Sequence, residues 1–96
     1  MTISLRALLL GFLLLAAGIA HATQEVRVGA YHFPPYAVKP ESTHPAGLLP
    51  ELLQALNHLQ SDYRFTLVAT STMRRYQDLE SGRFDLILFE SPDWGW

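Results

Sequence analysis

The stretch Glu25-Val-Arg-Val-Gly-Ala-Tyr-His-Phe-Pro-Pro-Tyr36 decides the fold of this chain. Its first half alternates polar and apolar residues, with β-branched Val26 and Val28, which is the pattern of a short β-strand. Its second half stops that strand, because Pro34 and Pro35 have no N–H to donate to a neighbouring strand. A polar loop punctuated by Pro and Gly follows, Lys39-Pro-Glu-Ser-Thr-His-Pro-Ala-Gly47.

Beyond the loop the pattern turns helical. Leu49, Leu52, Leu53, Leu56 and Leu59 fall at i, i+3, i+4, i+7 and i+10, one apolar stripe that must be buried against another element. Pro50 is tolerated in the first helical turn, and Glu51 suits the positive end of the helix dipole. Tyr63-Arg-Phe-Thr-Leu-Val-Ala69 returns to alternation and predicts a second strand. Thr70-Ser-Thr72 offers N-caps for a second helix over about Met73 to Ser81, ended by Gly82. The nearly continuous apolar run Phe84-Asp-Leu-Ile-Leu-Phe89 predicts a third strand, covered on both faces.

The order β-α-β-α-β with short connections predicts an α/β fold with a parallel sheet. Ligands of such sheets bind beyond the carboxyl ends of the strands. Three segments lie there: Tyr31 to Tyr36, Thr70 to Arg75, and Phe89 to Trp96. They hold most of the aromatic residues and the arginine pair.

The N-terminus carries a different message. Arg6 is followed by an apolar run from Ala7 to Ala20 and then by the small-x-small site Ala20-His-Ala22. That is the form of a cleaved secretory signal over residues 1–22, with cleavage after Ala22. The run is about 14 residues, short of the roughly 20 that span a bilayer. The expected product, residues 23–96, is an exported chain with no stable membrane insertion. It has no cysteine for a disulfide or lipid anchor. The chain holds seven Lys and Arg against nine Asp and Glu, a balance that argues against a nucleic-acid-binding surface. A product this short, without disulfide or metal staples, reads as part of something larger.

The ordered set of Val28-Gly-Ala-Tyr-His-Phe-Pro-Pro-Tyr36, Gly47 opening a leucine-rich helix, and Leu79-Glu-Ser-Gly-Arg-Phe-Asp85 resembles the start of the family 3 extracellular solute-binding proteins. These are periplasmic receptors that serve ABC importers of polar amino acids. The resemblance implies a type II periplasmic-binding-protein fold, of which residues 23–96 would form part of the N-terminal lobe. It further implies a small polar solute as ligand, an inner-membrane ABC permease as partner, a periplasmic location, no cofactor and no catalysis. Carried over by position, Phe33 or Tyr36 would form the aromatic wall against the ligand. Phe89 and Glu90 would stand where family members hold the ligand's amino group, although Ser or Gly is common there.

Each candidate also has a plainer reading. Phe33 and Tyr36 could stack on a ligand or plug the core beneath the first helix. Glu90 could pair with a ligand ammonium, lie solvated in its loop, or pair with Arg74. Arg74 and Arg75 could clamp a carboxylate, yet one of two adjacent arginines must point away from a cleft. Trp94 and Trp96 could line a pocket or stand exposed. His32, His44 and His58 lack the spacing of a compact metal site. No nucleophile elbow, phosphate loop or dinucleotide fingerprint is present. Two alternatives remain on the same fold: a periplasmic dehydratase-like enzyme and a sensor input domain.

Overall fold

The computed structural model describes residues 22–96. The signal segment expected over residues 1–22 lies, except for Ala22, outside the described residues. Among the described residues no helix is long and apolar enough to cross a membrane.

Three parallel strands form one sheet: β1 (Gln24–Ala30), β2 (Tyr63–Ala69) and β3 (Leu86–Ile87). Their order is β2-β1-β3, so the first strand in sequence is central. β1 and β2 pair over seven residues, from Gln24 opposite Tyr63 to Ala30 opposite Ala69. β3 meets β1 only at Val28–Leu86 and Gly29–Ile87. Helix α1 (Leu48–Leu59) connects β1 to β2, and helix α2 (Arg75–Glu80) connects β2 to β3. The α/β order and parallel pairing are as the sequence pattern predicts.

Alternation along β1 sends Val28 and Ala30 to one face, where they meet Leu49 and Leu53 of α1. Ala37 completes this buried cluster, and Leu56, Phe65, Leu67, Leu86 and Phe89 pack around it. Burial of Val28, Leu49 and Leu53 contributes about 1.5–3 kcal/mol each. The expected leucine stripe is only partly used. Leu49 and Leu53 are buried, whereas Leu52 is 38% exposed and Leu59 is 81% exposed. Leu52 and Leu59, seven residues apart, share the flank of the stripe that turns away from the sheet.

The opposite face of β1 is served by one large side chain. Phe84, 1% exposed, lies directly over Gly29, where an added Cβ would stand 2.7 Å from the ring. The third strand is therefore shorter than the apolar run suggests. Phe84 is used before the strand begins, and Phe89 leaves it with φ 61°. Nor is the run covered on both faces: Leu86 and Ile87 are half-buried and Leu88 is 37% exposed. With only two pairing positions on β1, β3 has neither the length nor the cover of an interior strand.

The ends of α1 are held without a conventional cap. Leu48 N–H donates to the Pro35 carbonyl at 3.0 Å and Leu49 N–H to the Tyr36 carbonyl at 2.7 Å. The turn that closes β1 thus satisfies two of the helix's orphan donors. Gly47 makes this approach possible. Its φ is 109° and a Cβ would lie 2.8 Å from the Tyr36 carbonyl oxygen, a placement open only to glycine.

At the other end, Asn57 of α1 and Gln60, the residue just past the helix, reach the outer edge of β2. Asn57 donates from Nδ2 to the Phe65 carbonyl at 2.8 Å and accepts from the Phe65 N–H at 2.7 Å. Gln60 makes the same exchange with Tyr63, at 2.8 Å in each direction.

Candidate functional site

The carboxyl ends of the strands open onto a group of five aromatic rings. Tyr36 and Phe89 stack with centroids 4.6 Å apart and planes 19° apart. Phe33 meets Tyr36 edge-on at 5.1 Å, and leans on Tyr31 at 5.7 Å and Trp94 at 6.1 Å. These are favourable ring geometries. The Pro34–Pro35 peptide is cis, and Phe33 closes the turn by exchanging backbone hydrogen bonds with Ala37. Phe33, Tyr36 and Phe89 therefore come together. Phe33 and Tyr36 line a crevice together with Ala37, Leu49 and Phe89. The crevice itself is filled by its own walls, leaving about 10 Å³, the room of one water at most.

Beside the rings lies a buried charge pair. Arg75 Nε stands 2.6 Å from Glu90 Oε1, with both side chains 9% exposed. The distance is that of a tight ion pair, yet neither atom completes a hydrogen bond. The N–H is not aimed along the line of contact, so the attraction is chiefly one of charge. Glu90 Oε2 accepts from the Tyr31 hydroxyl at 3.0 Å. Arg75 donates to the Tyr76 hydroxyl at 2.7 Å and to the Thr72 carbonyl, and the Tyr76 hydroxyl donates to the Trp94 carbonyl. The guanidinium carbon lies 4.4 Å from the Tyr76 ring centre, 5.3 Å from Tyr31 and 5.9 Å from Trp96, within cation–π range. Burial, followed by the hydrogen bond to Glu90, pushes the Tyr31 phenol up to about 12, so it stays a donor to the carboxylate at neutral pH.

The two adjacent arginines divide as geometry requires, but the inward place belongs to Arg75. Arg74 is exposed, with its backbone N–H and Nε turned to the Ser71 hydroxyl at 3.0 and 3.3 Å. Ser71 thus caps the turn ahead of α2, and the helix begins two residues later than Met73. Glu90 is neither solvated nor paired with Arg74. The sequence did carry a signal for Arg75: Arg75, Asp78 and Leu79 share one helical face, i, i+3 and i+4. That face is the covered one, whereas Arg74, Gln77 and Glu80 are exposed. Asp78 is tied inward by the Thr70 hydroxyl at 2.7 Å. Tyr31 and Tyr76, as partners of the ion pair, had no such signal.

A second, polar hollow adjoins Tyr31, bounded by His32, Glu41, Thr70, Ser71 and Thr72. His32 Nδ1 accepts the Lys39 N–H at 3.1 Å, which anchors the loop on its rim. Among the described residues no three His, Asp or Glu side chains gather as a metal site would require. Comparison with protein-family models, curated proteins and solved structures gave no match to this chain.

Proposed function

We propose that this chain forms part of the N-terminal lobe of a periplasmic solute-binding protein of type II fold. It takes up a small polar solute, an amino acid or a related compound, for an inner-membrane ABC importer. One observation carries this reading: aromatic side chains and a buried charge pair, each member hydrogen-bonded to a tyrosine, converge at the carboxyl ends of parallel strands. That is where open α/β sheets receive their ligands, and apolar walls with a few fixed polar groups are the usual make-up of such sites.

Phe33, Tyr36 and Phe89 provide the wall. Glu90 is the acceptor for the solute's amino group, held in place by Tyr31 and balanced by Arg75. Arg74, exposed and turned to Ser71, is the outlying member of the proposed set. Solute uptake buries the ligand between lobes by hinge closure, and the closed form is what the importer reads. No cofactor enters this scheme.

Thermal denaturation of the purified chain with each polar amino acid in turn tests the reading. A ligand at about 100 times its Kd stabilises by about 2.7 kcal/mol, so one solute should raise Tm saturably. Tyr36→Ala should abolish that rise. A Tm unmoved by the whole panel counts against the proposal, as does a rise that Tyr36→Ala leaves intact.

A further inference from the structure

An amide side chain can present an acceptor and a donor to a neighbour much as a peptide group does. Asn57 and Gln60 do so together, towards alternate residues of one strand. In a parallel sheet the backbone groups of alternate residues point to opposite sides of their strand. β2 pairs with β1 on one side, so the N–H and C=O of Tyr63 and Phe65 face the open edge. All four of these groups are taken by the two amides, at 2.7–2.8 Å.

The geometry points to Asn57 and Gln60 as guards of the β2 edge, which prevent it from pairing with β2 of a second copy of this chain. The segment needs such protection. Tyr63-Arg-Phe-Thr-Leu-Val-Ala69 has high β-propensity, one charge and no proline, and such segments on an open edge are templates for self-association. Tyr63 is also 47% exposed, so no bulky neighbour shields it. A passive cover would need only apolar contact. Here each amide instead satisfies both the donor and the acceptor of its residue, which removes the hydrogen bonds an incoming strand would use. Asn57 in the last turn of α1 and Gln60, the extended residue that ends the helix, stand three apart in the chain and match residues two apart on the strand.

The test compares the full-length chain with Asn57→Ala/Gln60→Ala and with Leu56→Ala, which loosens the core but leaves the edge occupied. Sedimentation velocity reads the mass. The guard variant should lose its monomer peak to species of about twice the mass or more, while Leu56→Ala remains monomeric. A monomeric guard variant overturns the proposal, and so does association of both variants to the same extent. Hydrogen exchange on the unaltered protein needs no variant to fold. The Tyr63 and Phe65 amides should exchange far more slowly than the outward-facing Leu67 amide, which has no such partner. Equal exchange at the three positions also overturns it.

Discussion

Gly29 has no side chain because Phe84 occupies its place. A methyl group there would stand 2.7–2.8 Å from three ring carbons, and the ring is too well buried to swing aside. Gly29→Ala should therefore cost about 1–3 kcal/mol, the usual penalty of overpacking. Urea denaturation measures it, and adding Phe84→Leu should return part of the loss. Asp85 shows the same economy with charge. Hydrogen bonds from the Arg27 side chain and backbone N–H hold its carboxyl below the usual carboxylate range. A depressed folded-state pKa gives stability that is present above the unfolded value, about 4, and is lost as pH falls through the folded one. The stability gap between the protein and Asp85→Asn should accordingly be open at neutral pH and close in acid. A gap that is independent of pH would dismiss the pairing as a source of stability.

At the scale of elements, the periodic segments were legible and their limits were not. β1, β2 and α1 stand within a residue or so of where alternation and the leucine spacing put them. β3 shrank from six expected residues to Leu86–Ile87, since an apolar run says nothing of how many partners a strand will have. The stripe on α1 was legible as a stripe, but which leucines reach the sheet depends on crossing geometry that spacing does not contain. Leu53→Ala should cost about 2–5 kcal/mol, whereas Leu52→Ala should cost about 0.5 kcal/mol or less; equal losses in denaturant unfolding would refute this division. α2 shows why Glu90 meets Arg75 and not Arg74. Successive helical residues differ by about 100° in direction, so a start set by the Ser71 cap decides whether Arg74 or Arg75 turns inward. The cluster of aromatic rings was legible from strand order alone, because every one of its rings sits at a strand's carboxyl end.

For the molecule as a whole, the Arg75–Glu90 pair joins segments far apart in the chain. Through it and its neighbours, the end of β1 at Tyr31, the turn before α2 at Thr72, and the tail at Trp94 become one unit tied by an ion pair and hydrogen bonds. Breaking one side of a buried pair leaves an uncompensated charge and typically costs about 3–5 kcal/mol. Arg75→Met should fall in that range, and Arg75→Met/Glu90→Leu should be more stable than Arg75→Met alone. A double variant that is merely the sum of its parts would show that the two groups do not act as a unit.

The stacked rings of Tyr36 and Phe89 leave no vacancy for a guest. Under the proposed function, a solute that lodges between them must wait for the rings to part, so an internal rearrangement would precede capture. Binding followed through the combined emission of Trp94 and Trp96 in a rapid-mixing experiment should then show a rate that reaches a plateau. Its rate should climb with solute at low concentration and level off at the frequency with which the door opens by itself. A rate that climbs in proportion without limit would mean that the solute settles on top of the rings instead of between them.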